Sequence, residues 1–144
     1  MFQARLDGYT SALAEHGIEA DPELITEGDS PLPAVRTVHL PVERPNRPTA
    51  IFAGSDLQAM GVYEAARQLG LRIPEDLSVV GFDDVQTAAF LGPALTTVRQ
   101  PLQDMARAAV RMLVEALSTG DVIQPHIIMP TSLVVRNSTQ QLES

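Results

Sequence analysis

Residues 49–84 constrain this chain more than any other stretch. Thr49-Ala-Ile-Phe-Ala53 is a short apolar run, the composition of a strand covered on both faces. Gly54-Ser55-Asp56 follows at once. Ser55 stands at the helix-capping position, and Gln58 lies three residues on, the spacing of a capping box. Residues 57–69 are predicted to be a helix. Leu57, Met60, Gly61, Ala65 and Leu69 form its apolar stripe, and Val62 and Ala66 widen it. Gly70 followed by Leu71 marks its end. Leu77-Ser-Val-Val-Gly-Phe82 is a second buried strand, closed by Asp83-Asp84. Strand and helix alternate here, and alternation of this kind predicts an α/β fold with a parallel sheet.

The flanks extend the same alternation. Leu6, Tyr9 and Leu13 line one face of a first helix, with Gly17 and Ile18 ending it. Asp21-Pro22 marks a turn, and residues 23–26 are expected to form a short strand. Residues 30–48 hold Pro31, Pro33, Pro41, Pro45 and Pro48, which break any long helix and predict a loop. Residues 95–98 are expected to be an extended crossing segment. Pro101 suits the first position of a third helix, striped by Leu102, Met105, Ala109, Met112, Leu113 and Ala116, with Gly120 after it. Residues 127–129 and 133–135 are expected to close the chain as two short strands. The fold class is therefore α/β, a Rossmann-like parallel sheet flanked by helices.

Composition narrows the function classes. With 144 residues, 44% hydrophobic and 19% charged, the chain can build a genuine core. Its net charge of -8 repels phosphate backbones, and no arginine cluster offsets it, so direct nucleic-acid binding is not expected. The absence of cysteine excludes disulfides and thiolate metal sites. No apolar run approaches the roughly 18–20 residues of a membrane helix. The first ten residues carry no apolar signal core, so a cytoplasmic location is expected.

Several blocks together resemble the LacI/GalR transcription regulators. They are Arg5-Leu-Asp-Gly8-Tyr9, Ala14-Glu-His-Gly-Ile18, Pro48-Thr-Ala-Ile-Phe-Ala-Gly-Ser-Asp56 and the run from Ala66 to Asp84. Pro93-Ala-Leu-Thr-Thr-Val-Arg-Gln-Pro101 and Pro130-Thr-Ser-Leu-Val-Val-Arg-Asn-Ser-Thr139 complete the set, in family order and spacing. The resemblance implies part of a periplasmic-binding-protein-like effector core, in which two Rossmann-like subdomains flank a cleft. Residues 1–98 and 126–144 would form an incomplete C-terminal subdomain. Residues 99–125 would be a crossover segment and a helix belonging to the N-terminal subdomain. The implied ligand is a small-molecule effector, a sugar or sugar derivative. The implied assembly is a homodimer, and DNA would be met through a headpiece outside this chain. No cofactor, metal or membrane partner is implied.

The candidate site residues follow from the same resemblance. Arg5 matches an arginine that points into the cleft, where its rigid fork of donors suits vicinal oxygens. Asp56 matches an acidic residue at a strand-to-helix turn, where a carboxylate can accept from sugar hydroxyls. Ser55 stands beside it and is foremost a helix cap. Ser30 occupies a position where relatives carry an aromatic residue, and the proline-rich stretch replaces a helix there. The resemblance also places the 57–69 helix near a dimer interface. Its stripe is wider than one sheet contact demands, so self-association through Val62, Ala66 and the neighbouring surface is expected.

Other chemistry is weaker. Asp83-Asp84 end a strand and could hold magnesium in an α/β enzyme, but they lack a lysine partner, and the resemblance gives them a structural use. His16, His39 and His126 share no metal-ligand spacing. Met60, Met105 and Met112 sit on ordinary helix faces. No nucleophile elbow, P-loop or dinucleotide fingerprint is present, so no catalytic residue is assigned. The alternative to a regulator is a transport-type periplasmic sugar-binding protein of the same fold.

Overall fold

The computed structural model describes residues 2–25, 47–120 and 126–141. Three α-helices are described: α1 (Phe2–Glu15), α2 (Asp56–Gln68) and α3 (Leu102–Thr119). The strands are β1 (Ala50–Phe52), β2 (Ser78–Asp83), β3 (Thr96–Arg99) and β4 (Ser132–Val134). Short 3-10 turns cover Pro22–Leu24 and Gln86–Phe90.

The four strands form one sheet in the order β1-β2-β3-β4. β1 and β2 run parallel, with Ile51 opposite Val79, and β2 and β3 run parallel, with Gly81 opposite Thr97. The expectation of a parallel sheet holds for these three. β4 corrects it at the edge, because Ser132 enters opposite Arg99, the last residue of β3, and the strand runs back antiparallel. The chain leaves the sheet at that end for α3 and returns at the same end, which fixes the reversed direction. The 95–98 crossing segment is thus a paired strand.

Local signals set the helix ends. Ser55 Oγ accepts from the Gln58 N–H at 3.2 Å and caps α2. Gly70 takes a left-handed φ of 70°, and the Leu71 N–H reaches back to the Ala66 carbonyl at 2.9 Å. Gly17 ends α1 the same way, with Ile18 N–H on the Leu13 carbonyl at 2.9 Å.

The core lies between α2 and the sheet. Ala53, Ala59, Val62, Ala66, Leu77, Val79, Ala88 and Leu95 are buried together. The helix turns its small side chains inward, which lets it sit close to the strands, and Leu57 and Leu69 are left exposed. Val62 and Ala66, expected at a self-association surface, are therefore interior residues.

Two short elements differ from expectation. Residues 23 and 24 form a 3-10 turn instead of a strand, because the Asp21 carboxylate accepts from the Glu23 N–H at 2.8 Å and Pro22 presets the turn. Residues 127–129 make no strand, and Ile127 and Ile128 are exposed. The tail after β4 instead threads back into the sheet. Ser138 is buried, with its Oγ donating to the Val79 carbonyl at 2.6 Å and accepting from the Thr96 N–H at 2.7 Å. α3 differs from α2 in one respect: none of its residues is buried.

Candidate functional site

In open α/β sheets, ligands bind beyond the C-terminal ends of the parallel strands. Here those ends carry Gly54, Ser55 and Asp56 after β1, Asp83 and Asp84 at β2, and Gln100 after β3.

Asp56 is fully buried. Its Oδ2 accepts from the Val85 N–H at 2.8 Å, and its Oδ1 accepts from Thr97 Oγ1 at 2.5 Å. The carboxylate also lies in the first turn of α2, where the helix dipole favours negative charge. A Cβ at Gly81 would stand 2.2 Å from Asp56 Oδ1 and 2.9 Å from Leu95 Cδ2, so the backbone of β2 passes too close for any side chain there. Asp56 is thus an internal tie between the β1–α2 turn, the end of β2 and β3. It was expected at the cleft, and in the described structure its side chain is enclosed, with one hydrogen bond to each oxygen.

Arg5 does reach the strand ends. It projects from α1, donates to the Gly54 carbonyl, and lies 4.0 Å above the centre of the Phe82 ring. One of the five donors of its guanidinium is committed to Gly54. Ser55, at the same turn, is partly exposed as well as capping α2.

Asp83 and Asp84 adopt left-handed φ angles of 118° and 57°, a conformation that L residues seldom take and that turns the chain sharply at the end of β2. Asp83 Oδ1 accepts from Gln100 Nε2 at 2.6 Å and stays partly exposed. Asp84 accepts from Arg99 Nε and from Arg136 Nη2, each at 2.6 Å. Arg136 also donates to the Leu95 carbonyl at 2.7 Å. Burial pushes the Asp84 carboxyl up, but hydrogen bonds and charge from Arg136 and Arg99 outweigh it and hold the group below its ordinary value. The two guanidiniums occupy the oxygens that magnesium would need and repel a cation. Among the described residues, no group of three His, Asp or Glu side chains is placed to hold a metal.

His16 caps the end of α1 through Nδ1 on the Ala12 carbonyl at 2.9 Å, and His126 is exposed. Ser30, His39 and most of the proline-rich stretch lie outside the described residues. Sequence reasoning missed Gln100 and the partly exposed face of Asp83. Their positions at strand ends were the available signal. It also missed Phe82, whose use depends on an arginine distant in sequence.

Parallel strands ending in a polar rim, with a helix covering one face, define an open α/β module. Residues 2–139 match the family model for the periplasmic binding protein-like domain. The chain belongs to this family, and its relatives are LacI-type transcription regulators. It is 37% identical over 139 residues to the HTH-type transcriptional repressor CytR of Escherichia coli (strain K12), covering 96% of this chain and 41% of that protein. It is 41% identical over 135 residues to the HTH-type transcriptional regulator MalR of Clostridium butyricum, covering 93% of this chain and 40% of that protein. The solved transcriptional regulator CelR–cellobiose complex superposes with a TM-score of 0.87 at 35% identity, over 93% of this chain and 41% of that one. The chain thus spans about two fifths of the length of these relatives. Both curated relatives are named as transcriptional regulators. Among the described residues, no helix is long and apolar enough to cross a membrane.

Proposed function

We propose that this chain supplies one wall of the effector cleft in a LacI-type transcriptional regulator, with a sugar or similar oxygen-rich small molecule as effector. The observation that carries this reading is the polar rim at the C-terminal ends of β1–β3. Arg5, Ser55, Asp83 and Gln100 offer donors and acceptors there, while Asp56 holds the strand ends from behind. By the family resemblance, Ser30 is a further candidate effector contact. The cellobiose carried by the solved relative supports a saccharide-sized ligand.

In this reading, residues 1–98 and 126–144 form the C-terminal subdomain, and residues 99–125 cross to the N-terminal one. The wholly unburied α3 supports that division. Effector binding closes the two subdomains, and the difference in affinity between open and closed forms biases a DNA headpiece elsewhere in the polypeptide. The acidic chain itself does not meet DNA, and the setting is the bacterial cytoplasm. Self-association to a homodimer uses α2, on which Leu57 is 51% exposed, and its neighbouring surface.

The test is calorimetric titration of the full-length protein with a panel of mono- and disaccharides that includes cellobiose. A saccharide is expected to bind, and Arg5→Ala is expected to weaken it about tenfold or more, the loss of a charge-assisted hydrogen bond. No saccharide binding would remove the sugar class. Unchanged binding by Arg5→Ala would remove Arg5 from the site.

A further inference from the structure

Phe82 stands on the second face of the sheet. Along β2, Val79 and Gly81 are buried against α2, so the alternation of a strand turns Val80 and Phe82 the other way. That face carries no core of its own among the described residues, and Phe52 on the neighbouring strand is 42% exposed. Arg5 lies over it. Its guanidinium centre is 4.0 Å from the Phe82 ring centre, and one nitrogen donates to the Gly54 carbonyl at the end of β1.

Two contacts of different kinds therefore hold one cation. The carbonyl fixes one edge of the planar fork, and the ring fixes its face. An arginine side chain is otherwise rich in rotamers, and α1, which carries it, has no buried residue among those described. We propose that Phe82 is a positioning residue for the cleft. In this role it presents Arg5 with the fork oriented, so that the donors not used by Gly54 point at an oxygen-rich effector. The proposal rests on Arg5 serving the effector, as proposed above. Preorganisation of this kind lowers the cost of ordering a side chain on binding and leaves the number of contacts unchanged. Tyrosine keeps a ring face at this position. Leucine keeps the apolar bulk and loses it.

The experiment reads Arg5 directly and needs no known effector. The full-length protein is treated with phenylglyoxal, and modification of each arginine is followed by mass spectrometry. Arg67, exposed on α2, serves as the internal reference and reports intact folding if its rate is constant across variants. Arg5 is expected to react more slowly than Arg67 in the parent and in Phe82→Tyr. In Phe82→Leu its rate is expected to rise about three- to thirtyfold, the range a cation–π contact supports. An Arg5 rate in Phe82→Leu equal to that of the parent, with Arg67 unchanged, overturns the proposal. Failure of the underlying reading looks different. There, Phe82→Leu releases Arg5, but Arg5→Ala binds the saccharide found in the calorimetric panel as tightly as the parent.

Discussion

α2 and α3 are both amphipathic helices flanked by strands, yet the fold treats them in opposite ways. α2 buries Ala59, Val62, Ala65 and Ala66 against the sheet. α3 buries nothing, and Leu113 and Leu117 are 60% and 77% exposed. The difference is one of partners. The strands that α2 covers lie directly before and after it in the chain. The apolar face of α3 meets no comparable surface among the described residues, and in the proposed reading its partner is the other subdomain. Periodicity shows that a helix has an apolar face but leaves open what covers it.

The largest expected effect separates the two helices. Leu77→Ala, in the core under α2, is expected to cost about 3 kcal/mol in urea unfolding of this chain, the loss of transfer energy plus a cavity. Leu113→Ala on α3 is expected to cost no more than about 0.5 kcal/mol in the same experiment. Similar costs for both would break the comparison.

The body that α2 closes depends next on its internal tie. Asp56→Ala leaves the Val85 N–H and the Thr97 hydroxyl without acceptors and is expected to destabilise the fold by about 3 kcal/mol. Gly81→Ala should act in the same direction by forcing the carboxylate away. A neutral Asp56→Ala would show that the tie carries no weight.

A smaller effect comes from Asp84, which ties the end of β2 to Arg99 at the end of β3 and to Arg136 beyond β4. Asp84→Asn is expected to cost about 2 kcal/mol at pH 7. The folded Asp84 carboxyl is held below its ordinary value, so its contribution is present above the unfolded value of about 4 and fades as pH falls through the folded one. The gap between the parent and Asp84→Asn should therefore narrow in acid. A gap independent of pH would point away from the two arginines. The smallest effect is the cap: Ser55→Ala should cost about 1 kcal/mol, read by thermal unfolding.

These expectations follow how much was legible in the sequence. The β1–α2–β2 unit was readable because its caps, stripe and strands are local signals, and the fold forms them where expected. The placement of Arg5 near the strand ends was also readable, through the family pattern. The burial of Asp56 was not legible, because its surroundings come from Gly81, Val85 and Thr97, which its own neighbourhood does not announce. The direction of β4 was hidden for a similar reason: a three-residue apolar run states no orientation, and Ser132 opposite Arg99 decides it. Ser138 carries no apolar signal at all, yet it staples β2 to β3.

In the proposed reading, α2 and the sheet form a cleft wall that holds together by itself, and α3 packs on the other half of the sensor. Amide hydrogen exchange tests this division, measured on the 144-residue chain and on a polypeptide that also supplies the proposed other subdomain. α2 is expected to be protected in both, and α3 to exchange rapidly in the chain alone and slowly in the longer polypeptide. Equal protection of α3 in both would contradict it.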